Sequence, residues 1–236
     1  MIILIREDTN VMKKIIVILL TVLSLNLYGE TEKDNSNKKA FDVDGNKYII
    51  RPLYGISTAS DIGELLSFQK FEKDLNDSKI AGIQVERYVY KNPYDLPINI
   101  TLQSSFIIHF NSYSGDEKDY YTNDDTYQIN FGVKLYWTAF PWNDYVRTRL
   151  GVSEGLSYAS NISNLERSNQ YNENNSNYLN YIDLTLSFNA KDITKVSNLE
   201  DTYVGIGISH RSGIFGTING VDGGSNNVTF FFETEL

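Results

Sequence analysis

The chain has 236 residues, and it contains 17 Tyr and 12 Phe but only 4 Pro, a composition typical of strands rather than helices. Its formal net charge of -9 argues against nucleic acid as a partner. Because the chain has no cysteine, it excludes disulfides, thiolate metal sites and a lipid anchor on cysteine.

The N-terminal segment predicts export. A Lys-Lys pair directly after Met12 precedes the apolar run 15–23, which is the arrangement of a secretory signal peptide. The run is shorter than the ~20 residues that a membrane-spanning helix needs. We therefore assign residues 1–29 to a signal peptide, with Met12 as the expected start. Residues 1–11 are then either an upstream start-codon artefact or an unusual n-region. The polar, charged residues 30–45 are expected to form a disordered leader.

Residues 46–236 predict a membrane barrel. In segment 98–110, for example, apolar residues alternate with polar ones, so that successive side chains would face opposite sides of a sheet. Eight segments show this pattern to different degrees: 47–56, 80–90, 98–110, 127–137, 145–158, 178–190, 202–216 and 227–236. The predicted fold class is all-β, an eight-stranded antiparallel transmembrane β-barrel of the outer-membrane type.

The connections between these segments predict the orientation. With the N-terminus in the periplasm, four mostly long, polar connections face outward: 57–79, 113–125, 159–177 and 217–226. Three shorter ones, 91–97, 138–144 and 191–201, face the periplasm. This asymmetry is expected of a bacterial outer-membrane protein. Apolar residues at helical spacing within 57–79 predict either a short amphipathic helix or irregular strand extensions.

Inward-facing polar residues predict a filled barrel, because eight strands enclose a lumen only wide enough for side chains. The predicted filling is a charge network of Arg51, Gln84, Glu86, Lys134, Arg147, Arg149, Asp183 and Arg211. A narrow channel for solutes is therefore disfavoured.

The segment from Val204 onward carries the candidate chemistry. His210 and Ser212 share a face with apolar residues, and in a barrel that face contacts lipid. Residues two apart on a strand lie about 6.5 Å apart, so an imidazole can reach the hydroxyl and activate it as a nucleophile. The alternative is a polar pair at the membrane interface that is hydrogen-bonded to loops or lipid headgroups.

The strand 205–213, followed by one hairpin to the C-terminus, resembles the lipid A 3-O-deacylase family. This resemblance implies an eight-stranded outer-membrane barrel in which Ser212 is the nucleophile and His210 its base, cleaving an ester-linked acyl chain from lipid A. Segments 140–143, 154–158, 210–216 and 220–226 are also similar to a related group of uncharacterised exported barrel proteins, for which no activity is implied.

The chain departs from the deacylase pattern at two positions. The family follows the serine with Asn, which helps to hold the oxyanion, whereas this chain has Gly213. The family also has an acidic residue on the final strand to orient the histidine, and residues 226–229 contain none. Asp222, in the preceding hairpin, is the nearest substitute.

Glu154 is a further candidate for orienting the histidine. It falls on the outward face of segment 145–158, where an ionised carboxylate is costly. One strand should separate it from His210, which leaves roughly 10 Å between them. A bulge that turns Glu154 inward is the favoured alternative.

The leading hypothesis is an outer-membrane serine esterase that acts on lipid A, or lipopolysaccharide, in the outer leaflet. The alternative is a non-catalytic barrel with a structural, adhesive or envelope-interaction role. No cofactor and no metal are expected, because His109 has no second ligand nearby. A Ca²⁺ site among the acidic residues of 116–125 is conceivable, but solvated surface is the commoner role of such residues.

Overall fold

The computed structural model describes residues 47–74, 77–113, 121–168, 174–214 and 216–236. The predicted signal peptide and leader lie outside the described residues. Eight strands are present: β1 (Tyr48–Thr58), β2 (Lys79–Lys91), β3 (Ile98–Phe110), β4 (Thr126–Trp137), β5 (Thr148–Ala159), β6 (Tyr178–Asn189), β7 (Thr202–Ser212) and β8 (Gly224–Glu235).

The strands form one closed antiparallel barrel in which each strand pairs with its neighbour in sequence and β1 pairs with β8. Closure gives every strand a partner on both sides and leaves no edge. At the β1–β8 seam, the ladder continues in one register on both sides of Pro52, with Ile50 opposite Thr234 and Leu53 opposite Phe231. The ladder to β8 is interrupted at Arg51 and Pro52, because proline has no backbone N–H to donate.

The barrel wall is apolar outside and polar inside, as the alternation predicts. Exposed side chains on the outside include Tyr54, Ile83, Leu102, Phe131, Val133, Leu135, Leu150, Val152, Leu156, Ile206, Phe230 and Phe232. Buried side chains on the inside include Gln84, Gln103, Asn130, Ser153 and Thr185. A water-soluble protein would bury its apolar face, so this inverted arrangement places the chain in the bacterial outer membrane.

A network of ion pairs fills the lumen. Arg51 donates to Glu233 (2.9 Å), Asp183 (2.9 Å) and Glu86 (3.1 Å). Lys134 donates to Asp183 (2.6 Å), and Arg149 to Glu233 (2.6 Å). Three buried cations therefore face three buried carboxylates, and this pairing offsets the cost of removing the charges from water. The predicted plug is confirmed, with one exception.

The exception is Arg147, which precedes β5 and lies in the turn rather than in the lumen. Its Nε donates to the carboxylate of Asp192 (2.8 Å), and its backbone N–H donates to the same oxygen (2.9 Å). The predicted strand 145–158 began three residues too early, because Arg147 continues the alternation of β5 but belongs to the polar turn.

Short helices lie in the connections: α1 (Ile62–Leu66), α2 (Asn164–Ser168) and α3 (Ala190–Thr194), together with two 3₁₀ turns, Pro93–Asp95 and Ser197–Leu199. The predicted amphipathic helix of 57–79 is thus reduced to α1. The described parts of connections 59–78, 111–125, 160–177 and 213–223 lie at one end of the barrel, here named the loop end. No helix in the described ranges is long and apolar enough to cross a membrane.

Helix α2 folds over the lumen at the loop end. Asn164, Leu165 and Glu166 are all buried. Glu166 accepts a hydrogen bond from the inward-facing Arg211 at 2.6 Å, and Asn164 Nδ2 donates to the backbone carbonyl of Thr122 (2.8 Å). The helix therefore ties two connections to β7, the strand that carries the candidate site.

Candidate functional site

Strand β7 presents His210 and Ser212 on the outside of the barrel. Both side chains are half-buried, whereas the intervening Arg211 and the preceding Ser209 are only 1% and 3% exposed and point into the lumen. The predicted exterior position of the pair is confirmed. The regular ladders from β7 to β6 and to β8 preserve this alternation up to Ser212, where the strand ends.

The pair lies at the loop end of the barrel wall. Ser212 is the last residue of β7, and His210 precedes it by two positions. In bacterial barrels the short turns face the periplasm and the longer connections face the cell exterior. This convention places the pair at the level of the outer leaflet.

A side chain from β8 orients the histidine. His210 Nδ1 and Asn226 Oδ1 are 2.6 Å apart, and the two residues are directly opposite each other in the β7–β8 ladder. The Asn226 amide Nδ2 donates to the backbone carbonyl of Ser60 (2.9 Å). Because a carbonyl only accepts, Oδ1 of Asn226 must face the imidazole, and Nδ1 must then carry the proton. The neutral ring is therefore left with an unprotonated Nε2.

This arrangement replaces the predicted role of Asp222. The hydrogen-bond partner of His210 Nδ1 is Asn226, while Asp222 lies in the connection before β8. The sequence-based boundary was wrong because the Gly-rich stretch 220–226 indicated a turn, whereas β8 begins at Gly224 opposite Ser212. Extending the alternation of β8 back to Gly224 would have shown that Asn226 faces outward, whereas its position opposite His210 follows only from the β7–β8 register.

Ser212 has no direct hydrogen bond to His210 in this structure. Within the described ranges, Ser212 Oγ and His210 Nε2 both lack a hydrogen-bond partner. Catalytic hydrogen bonds are often long or unformed in a substrate-free enzyme and tighten when substrate binds. Both atoms needed for proton transfer are therefore unengaged by other described groups and lie on the same face of one strand.

The backbone at Gly213 does not offer the oxyanion donor expected at this position. Its N–H donates to the carbonyl of Gly223 (3.2 Å), which closes the connection between β7 and β8. A Cβ at Gly213 would overlap the backbone carbonyl of Val221, so the Asn of the deacylase pattern does not fit this loop. The departure is thus a packing requirement of the connection.

Glu154 faces outward and is exposed, in an unbroken ladder with Val133 on one side and Ile182 on the other. The inward bulge favoured from the sequence is wrong, because no residue is inserted in β5 at this position. Ile182 is in turn opposite His210, so Glu154 lies two strands from the imidazole, roughly 10 Å away. It does not orient His210 here.

No cluster of three or more potential metal ligands occurs in the described part of the chain. His109 points into the lumen, where its Nε2 lies 2.6 Å from Gln128 Oε1. Half of the acidic connection considered for Ca²⁺, residues 116–120 of 116–125, lies outside the described residues.

Comparisons with known proteins identify the architecture. A crystal structure of the outer membrane enzyme PagL superposes with a TM-score of 0.53 and 8% identity, covering 80% of this chain and 99% of that one. The fold is that of an outer-membrane barrel. The N-terminal barrel domain of Pseudomonas aeruginosa OprF (TM-score 0.42, 11% identity) covers 81% of this chain and 99% of its own. Neisserial surface protein A (0.43, 9%) covers 80% and 96%. No protein-family model and no curated protein sequence matches the chain.

Proposed function

We propose that this barrel is an outer-membrane serine esterase that removes an ester-linked acyl chain from lipid A. The observation that carries the proposal is the exterior pair His210 and Ser212 at the loop end, with the imidazole held by Asn226. Lipid A lies in the outer leaflet at this level, so its acyl esters can meet the pair without leaving the membrane. The sequence resemblance of β7 to the lipid A 3-O-deacylases supports this substrate class, and the fold shared with an outer membrane enzyme is compatible with it.

The reaction follows from the positions of the two groups. Ser212 Oγ attacks the ester carbonyl carbon while His210 Nε2 takes the hydroxyl proton. The tetrahedral intermediate collapses, the bond to the sugar oxygen breaks, and the imidazolium returns the proton to that oxygen. Water, activated by the same Nε2, then hydrolyses the acyl-serine and releases a fatty acid. Asn226 keeps the productive tautomer in place through both steps.

Two serines of β7 provide a matched test. Ser212 faces lipid, whereas Ser209 faces the lumen with its Oγ 3.4 Å from the Tyr181 hydroxyl. We expect Ser212→Ala to abolish acyl-chain release while the barrel keeps its heat-modifiable mobility on gels. Ser209→Ala should retain the activity. Mass spectrometry of lipid A, from cells expressing each variant and from cells lacking the gene, is the measurement.

An unchanged lipid A acylation pattern on deletion of the gene and on its overexpression would contradict the proposal. In that case the non-catalytic alternative, a barrel that interacts with other envelope components, would be favoured. Covalent labelling of Ser212 by a fluorophosphonate provides an independent check, because that reagent needs the activated hydroxyl but no lipid substrate.

A further inference from the structure

Asn180 occupies an unusual place on the barrel wall. In the β6–β7 ladder it is directly opposite Ser212, and directly opposite residues project to the same face of a sheet. The neighbours of Asn180 along β6, Leu179 and Tyr181, point inward and are 2% and 0% exposed. The carboxamide of Asn180 therefore lies outside, on the lipid-facing surface beside the candidate nucleophile.

The side-chain amide of Asn180 is available to donate. Asn180 is only 5% exposed, and its side chain hydrogen-bonds to no residue in the described ranges. Asn130, which faces the lumen, shows the contrast: its amide accepts from Gln128 (2.7 Å) and donates to Ser105 (2.8 Å).

The proposed reaction needs a hydrogen-bond donor for the oxyanion, and Asn180 could supply it. An acyl transfer needs hydrogen-bond donors aimed at the negative oxygen of the tetrahedral intermediate. The N–H of Gly213 already donates to Gly223, so the residue after the serine does not fill this role. Opposite Cβ atoms in an antiparallel ladder lie about 4.5–5.5 Å apart, which brings the Asn180 amide within reach of an oxygen bonded to the carbon that Ser212 attacks.

The strand on the other side of Ser212 has no side chain beside it. On β8 the residue opposite Ser212 is Gly224, which has no side chain, and a Cβ there would overlap the carbonyl of Arg211. An ester bound over Ser212, with its carbonyl oxygen on the β6 side, would direct that oxygen toward Asn180. Its leaving oxygen then lies toward His210, which returns the proton.

The geometry points to Asn180 as the oxyanion donor of this esterase, acting from the strand next to the nucleophile. This inference rests on the proposed function. The Asn180 Nδ2–H donates to the oxygen that becomes negative when Ser212 attacks. The same amide makes weaker contact with the neutral ester, so its contribution belongs to the rate of acyl transfer rather than to substrate binding.

The test compares Asn180→Ala and Asn180→Asp with the natural protein, purified, refolded and assayed on lipid A in detergent micelles. The Asp variant matters because it has almost the same shape but donates no hydrogen bond when ionised. We expect kcat to fall about 100- to 1000-fold in both variants, with KM changing by less than threefold. Asn99→Ala, at the turn end of β3, is the matched control and should leave both parameters unchanged.

The failure of this inference is distinguishable from failure of the proposed function. If the natural protein neither releases acyl chains nor labels at Ser212 with a fluorophosphonate, both ideas fall together. If the natural protein is active and a heat-modifiable Asn180→Asp variant keeps more than a third of its kcat, only the oxyanion role is overturned. A rise in KM with unchanged kcat would likewise overturn it, because Asn180 would then contact the substrate equally before and during the reaction.

Discussion

The most direct test of the site is to remove the side chain that holds His210. Asn226→Ala deletes the acceptor for Nδ1–H, 2.6 Å away, and also the bond to the Ser60 carbonyl. Its neighbour Asn227→Ala is a matched control, because Asn227 faces the lumen, where its Oδ1 accepts from Ser57 (2.7 Å). Both substitutions should leave a folded barrel, so the comparison isolates the outward-facing position.

The size of the effect follows from the hydrogen bonds. A neutral hydrogen bond contributes about 0.5–1.5 kcal/mol and one to a charged group about 1.5–3 kcal/mol, so protonation of His210 strengthens its bond to Asn226 by about 1–1.5 kcal/mol. Losing that difference slows the reaction roughly 5- to 13-fold. A free ring also samples two tautomers and two flips, which adds a factor of about 2–4. The expected loss in kcat is therefore about 10- to 50-fold.

The assay is release of fatty acid from lipid A at fixed pH, with folding monitored by heat-modifiable gel mobility. Asn226→Asp keeps an acceptor for Nδ1–H and should recover most of the rate lost in Asn226→Ala. If the alanine variant is folded and its kcat is within threefold of the natural value, the orientation of His210 by Asn226 plays no part in the reaction.

Two further predictions concern stability and do not depend on the proposed reaction. Arg211→Ala should lower the free energy of unfolding by about 3–5 kcal/mol, because it leaves the buried Glu166 carboxylate unpaired. Adding Glu166→Gln to this variant should restore part of the lost stability. Urea unfolding followed by gel mobility measures both effects. The hydrogen bond from Arg147 holds the pKa of Asp192 at about 2, below its ordinary value of 3.8. A lowered carboxyl pKa stabilises the fold fully above about pH 4 and loses that contribution as pH falls toward 2. Between pH 5 and pH 2, the Asp192→Asn variant should therefore lose less stability than the natural protein. The difference should stay below about 1 kcal/mol, because the Arg147–Asp192 pair is partly exposed. Identical acid unfolding curves would contradict this.

The barrel was predictable because its signal is local. Each strand alternates between the lipid-facing and lumen-facing sides, so the outward direction of His210 and Ser212 followed from their neighbours alone. The same reasoning placed Asp183 and Lys134 inside, where they form an ion pair. The direction of a side chain follows from its position along its own strand and does not depend on the neighbouring strands.

The partners were not predictable because they depend on how strands are staggered around the closed sheet. Arg51 and Asp183 are 132 positions apart, and nothing in either segment indicates that they meet. For the same reason, the sequence alone did not predict that Asn226 and Asn180 lie beside the candidate pair. Their positions follow from the β7–β8 and β6–β7 registers. Polar asparagines at strand ends look like turn residues until the neighbouring strand is known.

The hydrogen bond from Asn226 to Ser60 joins opposite ends of the folded chain, since Asn226 lies on β8 opposite Thr58 and Ser60 follows β1. The imidazole is thus clamped across the seam where the first and last strands meet. A chain still in transit through the periplasm has no such seam, and its histidine is untethered. The ordered imidazole of the proposed hydrolase, and the roughly 10- to 50-fold in rate that depends on it, would therefore be gained only when the first and last strands pair.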